Sequence, residues 1–198
     1  HAAAFNHQVI YSTTGSLDSD FAKMVESHCH QYEALFKAYP NHTFLFEITD
    51  ASDVHIIQEQ LGETLIGIIE VASGRQFRED EVDKIAAEYG LQRPPLLENI
   101  RFGELKALLK TVKHEGFMVF DAETKETLCK MKSPYYLVSK FFGRSNENNL
   151  GRKLDKKHLD EEYYPLVDYI REQRDTFSML NEQEKIAFIQ HYLEHMME

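Results

Sequence analysis

Two lysines have the type and spacing of a phosphate-binding pair. Lys130 and Lys132 are two positions apart in a short segment of strand character, and side chains two apart in a strand face the same side. Two ammonium groups held side by side repel each other unless an anion lies near them, and a phosphate chain is the natural candidate. The chemistry that this pair indicates is the binding of a phosphorylated ligand.

Glu115 adds a carboxylate that a local fold can bring to the lysine pair. It precedes Gly116–Phe120, which the polar turn D-A-E-T-K-E joins to Thr127–Lys132 as a predicted β-hairpin. A carboxylate beside a phosphate site can hold a metal ion through oxygen ligands, and the adjacent glycine permits a close approach of backbone. From spacing alone, an exposed hairpin with a charged face explains the same residues, so both interpretations stay open.

The elements that position these side chains follow a mixed pattern up to residue 144. The sequence predicts strands over 5–11, 43–49, 54–57 and 65–72. It predicts a helix that Ser16 or Asp18 caps and Pro40 ends, and further helices over 78–89, 102–112 and 135–142, the last after the cap pair Ser133-Pro134. These segments predict an α+β body.

The C-terminal part has a different pattern. Residues 145–149 are polar and predict a linker, and the remainder is helical, with one helix over about 160–179, bent at Pro165, and another from Asn181. We therefore predict two domains, an α+β domain over residues 1–144 and an all-helical C-terminal region over 150–198.

Composition excludes some classes of partner. The net charge of −11 over 198 residues argues against nucleic-acid binding by the whole surface, though not against a local basic groove. No apolar run is long enough for a transmembrane helix, so we expect no membrane partner. The two cysteines, Cys29 and Cys129, are in no CxxC motif and predict free thiols and a cytoplasmic location. The run His28-Cys29-His30 is in a helical segment, where adjacent side chains point about 100° apart and cannot share one metal ion.

Three segments, in this order, resemble the covalent nucleotidyltransferases, the superfamily of DNA ligases, RNA ligases and mRNA capping enzymes. The family patterns are F-E-I, E-G-[FY]-[VM]-V and K-x-K-S-x-x-Y. They appear here as Phe46-Glu47-Ile48, Glu115-Gly116-Phe117-Met118-Val119 and Lys130-Met131-Lys132-Ser133-Pro134-Tyr135-Tyr136. Phage-type RNA ligases are the most similar, and the resemblance covers roughly residues 8–144, including Thr13-Thr14-Gly15-Ser16-Leu17 and Asp53-Val54-His55-Ile56-Ile57.

The resemblance implies a fold and a set of roles. The fold would be an antiparallel-sheet, ATP-grasp-like nucleotidyltransferase body. Glu47 would contact the ribose of a nucleotide, Glu115 would support a metal ion and the phosphates, and Lys130 and Lys132 would contact the phosphates and assist adenylyl transfer. The family joins RNA ends through a lysyl-AMP and then an AMP-capped RNA end, so the implied cofactors are ATP and Mg²⁺ and the implied partner is an RNA end. We expect the four residues to converge on one concave face of an antiparallel sheet.

The chain departs from the family pattern at the nucleophile. The nucleophilic lysine of the family belongs to K-x-D-G, upstream of the segment at Thr13, and no K-x-D-G occurs in this sequence. Lys23 and Lys37 are in a predicted helix, the wrong context for that role. Because the amine is the covalent carrier of AMP, we expect no self-adenylylation by this chain alone. We therefore expect a ligase that lacks its N-terminal part. It would be a truncated gene product, a fragment, or half of a split enzyme whose N-terminal half is supplied in trans.

Two smaller departures affect the nucleotide pocket. Thr14 stands where the family commonly carries a basic residue, and the strand over 65–71 lacks the aromatic residue that some ligases stack on adenine. Ile66 or Ile68 would pack on a base by dispersion alone. Three alternatives stay open: a non-catalytic module that binds a nucleotide or an RNA 5′-phosphate, a truncated remnant without activity, and a structural or interaction protein whose charges are solvated surface.

Overall fold

The computed structural model describes residues 1–53, 56–57 and 60–196. They form two compact units: residues 1–53, 60–99 and 120–128 make up the first, and 56–57, 100–119 and 129–196 make up the second. Helices and antiparallel strands share the chain, so the predicted α+β class is confirmed. The predicted domain boundary near residue 144 falls within the second unit, and it stays a prediction.

A four-stranded antiparallel sheet is the framework of the first unit. Its strand order is β2-β1-β3-β4, with β1 (Ala2–Phe5), β2 (Gln8–Tyr11), β3 (His42–Thr49) and β4 (Gly62–Glu70). The single strand predicted over 5–11 is wrong, because Asn6 and His7 have φ of 48° and 65° and turn the chain into a hairpin between β1 and β2. Two successive residues with positive φ form a type I′ turn, which fits the twist of the paired strands.

Helices pack against this sheet through an apolar core. They are α1 (Asp20–Cys29), α2 (Glu33–Ala38) and α3 (Glu79–Tyr89). The predicted first helix is divided by a 3₁₀ turn over His30–Tyr32, and Ser19, not Ser16 or Asp18, caps α1 by accepting the Ala22 amide N–H at 3.1 Å. The fully buried core side chains include Leu35, Phe36, Phe44, Leu65, Ile68 and Val82.

The predicted strand over 54–57 is not confirmed at residues 56 and 57, the part of it that the structure describes. Residues 54 and 55 lie outside the described residues, and Ile56 and Ile57 form a bend.

Cys29 is buried, Cys129 is exposed, and both are free thiols. Burial raises the pKa of the Cys29 thiol to about 12, so this thiol is protonated and unreactive at neutral pH.

The second unit contains the base of the predicted hairpin. Here α4 (Phe102–Leu109) precedes β5 (Gly116–Phe120), and β6 (Thr127–Lys132) leads into α5 (Pro134–Gly143). The hairpin is confirmed as a two-stranded sheet, β5 with β6. The predicted cap is also confirmed, since the Ser133 hydroxyl accepts the Tyr136 amide N–H at 3.1 Å and Pro134 occupies the first turn of α5.

The remainder of the second unit is helical, with two corrections. It comprises α6 (Glu147–Lys153), α7 (Tyr164–Glu172), α8 (Arg174–Met179) and α9 (Glu182–His195). The linker predicted over 145–149 is wrong, because Asn146 and Asn149 exchange side-chain to backbone hydrogen bonds of 2.9 and 3.1 Å that start α6. Pro165 lies in the first turn of α7 and so does not bend a longer helix.

Candidate functional site

Glu115, Lys130 and Lys132 meet at the base of the hairpin. Glu115 Oε1 lies 3.0 Å from Lys130 Nζ and 3.2 Å from Lys132 Nζ. The predicted approach of the carboxylate to the lysine pair is therefore confirmed. The side chains of Glu115, Lys130 and Lys132 are 38%, 51% and 33% exposed, so a ligand can reach the cluster from solvent. We call these three residues the phosphate cluster, after the ligand that the sequence predicts for them.

The backbone beneath the phosphate cluster is held by Gly116 and Ser133. Gly116 has φ of 144°, and a Cβ there would lie 1.9 Å from the carbonyl oxygen of Met131. The Ser133 amide donates to the Glu115 carbonyl at 2.8 Å, and the Ser133 hydroxyl donates to the His114 carbonyl at 2.5 Å. Gly116 thus lets the backbone of β5 approach β6 closely, and this approach brings the Glu115 side chain to β6.

The phosphate cluster is charged at neutral pH. Partial burial acts to raise the pKa of Glu115, but the hydrogen bonds from Lys130 and Lys132 and their positive charges outweigh it, and the pKa lies below its ordinary value. The hydrogen bond to Glu115 in turn raises the pKa of Lys132. Two cations therefore share one anion, which leaves the cluster a local excess of positive charge in an acidic chain.

Tyr136 of α5 contacts one lysine of the phosphate cluster and a further lysine of α5. The Lys132 ammonium lies 4.7 Å from the centroid of the Tyr136 ring, and the Lys140 ammonium lies 5.3 Å from it. Lys140 also donates to the Tyr136 hydroxyl at 3.2 Å. Lys140 is not among the site residues that the sequence predicts, although its position four residues after Tyr136 in a predicted helix indicates that the two side chains meet.

Glu47 belongs to the first unit. It is exposed on β3, where its partner across the sheet is Thr64. The expectation that Glu47 and the phosphate cluster share one face of one antiparallel sheet is wrong, since Glu47 is part of the four-stranded sheet and the two lysines of the cluster are in β6 of the two-stranded one. Its role toward a ribose stays a prediction.

The two isoleucines expected near a base differ in exposure. Ile68 is 1% exposed and packs in the core of the first unit, so it offers no surface to a base. Ile66 is 42% exposed on the same strand. Leu45 pairs with Gly67 and Phe46 pairs with Leu65, so Ile66 is the extra residue of a bulge in β4. Only Ile66 of the pair remains a candidate for packing on a base.

A second polar cluster, which sequence reasoning missed, lies in the first unit. His28 Nε2 is 2.9 Å from Asp50 Oδ2, and His28 Nδ1 is 3.3 Å from Glu63 Oε2. Tyr32 donates its hydroxyl to Glu63 Oε1 at 2.8 Å. An imidazole can donate to both carboxylates only when both nitrogens are protonated, and the hydrogen bond to Asp50 is the main cause that raises the pKa of His28. The cluster links α1 to the end of β3 and the start of β4.

The donors at the phosphate cluster fit Mg²⁺ only together with a phosphate. Among residues 1–53, 56–57 and 60–196, no group of three or more histidine, cysteine, aspartate or glutamate side chains is arranged to hold a metal ion. Mg²⁺ commonly binds one or two carboxylates together with phosphate oxygens and water. Glu115 can supply such a carboxylate, whereas the two adjacent ammonium groups repel a metal ion that arrives without an anion.

A comparison with protein-family models and with curated proteins finds no match to this chain. In the part of the chain that the structure describes, no helix combines the length and apolar character needed to span a membrane.

Proposed function

We propose that this chain is an RNA-ligase-like nucleotidyltransferase domain whose phosphate cluster binds the phosphates of a nucleotide or of an RNA 5′ end. The observation that carries the proposal is the contact of Glu115 with both Lys130 and Lys132. A shared carboxylate holds the two ammonium groups together on one strand face, where they would otherwise repel each other. The order of the segments, which resembles that of phage-type RNA ligases, supports the same function.

In this proposal Glu115 prepares the lysines for an anion. A phosphate group that enters the cluster accepts charge-assisted hydrogen bonds from Lys130 and Lys132, each of which contributes roughly 1.5–3 kcal/mol. Both ammonium groups are already ordered by Glu115, and Lys132 is also restrained by the Tyr136 ring. Less side-chain freedom is therefore lost on binding than at two mobile surface lysines.

ATP, when bound, would supply the adenylyl group, and Mg²⁺ would neutralise part of the phosphate charge. This chain's own residues hold the phosphates through Lys130 and Lys132 and offer the Glu115 carboxylate to the metal side of the site. Because these 198 residues contain no K-x-D-G, the nucleophilic lysine of the reaction is proposed to lie outside them.

A second candidate function is a module that binds without catalysis. The observation that favours it is that Lys130 and Lys132 pair with Glu115 in a sequence without K-x-D-G. Such a module would recognise the 5′-phosphate of an RNA and would need no metal ion and no partner.

Incubation with labelled ATP and Mg²⁺ separates these candidates. The chain alone is expected to form no covalent AMP adduct, because it lacks the nucleophile. A labelled band that survives denaturation would contradict this and would require another lysine in the role.

RNA binding is tested with two oligonucleotides of one sequence, one with a 5′-phosphate and one with a 5′-hydroxyl, followed by fluorescence anisotropy. Tighter binding of the phosphorylated RNA, lost in the double variant Lys130→Ala/Lys132→Ala, supports recognition of the RNA end. Equal binding of the two oligonucleotides would show that the cluster does not read a 5′-phosphate.

A further inference from the structure

Glu194, near the C-terminal end of α9, connects the two segments that flank the hairpin. The hydroxyl of Tyr135 donates to Glu194 Oε1 at 2.9 Å, and Lys113 Nζ lies 3.4 Å from the same oxygen. Lys113 precedes β5, and Tyr135 is in the first turn of the helix that follows β6. One carboxylate of the C-terminal helix therefore bridges the chain before the hairpin and the chain after it.

The Tyr135 contact is the stronger half of this bridge. Burial, and then the hydrogen bond to Glu194, raise the pKa of the Tyr135 hydroxyl, while the same hydrogen bond is the main cause that lowers the pKa of Glu194. The side chain of Lys113 is 63% exposed and that of Glu194 is 29% exposed. Because exposed ion pairs contribute little, Lys113 alone would not hold the bridge.

The helix that carries Glu194 is firmly packed on α5. Gly143 of α5 meets Ile186 of α9 so closely that an added Cβ would lie 2.4 Å from Ile186 Cγ1. Buried side chains of both helices, Phe142 from α5 and Ile189 from α9, belong to one core. The position of Glu194 is therefore fixed by packing, independently of the hairpin.

The two partners of Glu194 are close in sequence to the phosphate cluster. Lys113 is two residues before Glu115, and Tyr135 is two residues after Ser133, which binds the Glu115 and His114 carbonyls. A change in the separation of Lys113 and Tyr135 moves the base of the hairpin, and with it the distance from Glu115 to the lysines of β6.

We propose that Glu194 is a positioning residue: by holding Tyr135 and Lys113 together it keeps Glu115 within hydrogen-bond reach of Lys130 and Lys132. The consequence for a ligand rests on the proposed function, whereas the positioning is a property of the free protein. The C-terminal helix thereby controls the geometry of a cluster that lies more than sixty residues earlier in the chain.

The first measurement is the pKa of the Glu115 carboxyl, followed by carbon-detected NMR in the wild type, Glu194→Ala and Tyr135→Phe. If positioning is lost, Glu115 moves away from the two ammonium groups and its pKa rises. The direct effect of removing the negative charge of Glu194 has the opposite sign, since a like charge nearby raises the pKa of a carboxyl. The control is Glu182→Ala, which removes another carboxylate of α9, the one that pairs with Arg144 at 3.2 Å, and is expected to leave Glu115 unchanged.

The second measurement is the binding of inorganic pyrophosphate to the same proteins. We expect Glu194→Ala and Tyr135→Phe to bind it about threefold to tenfold more weakly than the wild type, the effect of weakening one charge-assisted hydrogen bond. If the wild type binds no pyrophosphate but the pKa of Glu115 rises in both variants, the positioning stands and the proposed function fails.

An unchanged or lowered Glu115 pKa in folded variants would overturn the positioning role, whatever the affinity for pyrophosphate. If Glu194→Ala does not fold, Tyr135→Phe decides, because it removes a single hydroxyl and keeps the ring. Circular dichroism and thermal unfolding establish which variants are folded.

Discussion

Gly116 and Met131 approach each other across the hairpin so closely that the backbone leaves no room for a side chain. A Cβ at Gly116 would lie 1.9 Å from the Met131 carbonyl oxygen, and φ at this glycine is 144°, a value that residues with a side chain rarely adopt. This contact sets the separation of the strands at the point where Glu115 reaches over to Lys130 and Lys132.

The substitution Gly116→Ala is therefore expected to separate the strands at the base of the hairpin. Overpacking of this kind costs about 1–3 kcal/mol of the free energy of unfolding, which urea denaturation measures. Pyrophosphate binding should weaken as well, because Glu115 no longer aligns the lysines. The matched control is Gly151→Ala in α6, where an added Cβ meets nothing within 4 Å. A Gly116→Ala protein with the stability and the affinity of the wild type would contradict this account of the hairpin.

Glu115→Gln should weaken anion binding, and more so with Mg²⁺ than without it. Without the metal ion, the neutral amide no longer pairs with the two ammonium groups, so they lose the alignment that Glu115 supplies and pyrophosphate should bind about threefold to tenfold more weakly. With Mg²⁺, the variant lacks the carboxylate for the metal and should gain less from the ion than the wild type. Calorimetry in EDTA and in Mg²⁺ measures both. If the affinity for pyrophosphate depends on Mg²⁺ equally in the two proteins, Glu115 is not a ligand of the metal ion.

The His28 cluster predicts a stability that depends on pH. Its hydrogen bond to Asp50 and its contacts with Glu63 raise the pKa of His28 above the unfolded value, which is about 6.5. The contribution is thus fully present below the unfolded pKa and is lost as pH rises through the folded pKa. On the acid side, hydrogen bonds from Ser52 and then from His28 lower the pKa of Asp50, so that its contribution is lost as pH falls through the folded pKa of Asp50.

The measurement is the free energy of unfolding from pH 5 to 9 for the wild type and His28→Gln. The groups that face His28 are Asp50 and Glu63. Tyr32 and Cys29 interact with Glu63, and their own pKa values are raised to about 12, outside the pH range scanned. The difference between the two proteins should be largest near pH 5 and should shrink toward pH 9. The control is His42→Gln, which alters an exposed hydrogen bond to the Pro40 carbonyl. A difference that does not vary with pH would show that His28 is not an imidazolium in this cluster.

Local patterns made the hairpin and the lysine pair predictable from sequence. Lys130 and Lys132 share a face because of strand alternation, and Ser133 caps the next helix through a contact three residues away. The sequence pattern does not predict the hairpin turn at Asn6, although asparagine tolerates positive φ, because residues 5–11 together have the character of one short strand. Tertiary contacts carry no such local signal. The bridge from Tyr135 to Glu194 spans 59 positions, so it follows from helix packing that the sequence pattern does not specify.

The proposed function depends on phosphate binding by Lys130 and Lys132, a claim that a calorimetric titration with ATP and Mg²⁺ tests. The proteins are the wild type, Lys130→Ala/Lys132→Ala, and the control Lys156→Ala/Lys157→Ala, which removes two other lysines that pair with carboxylates at 2.6 Å. We expect the wild type and the control to bind with a dissociation constant on the order of high micromolar to millimolar, weakened by salt, and the Lys130→Ala/Lys132→Ala protein to show no binding. Binding that survives in that protein, or no binding by the wild type at millimolar ATP, would contradict the claim.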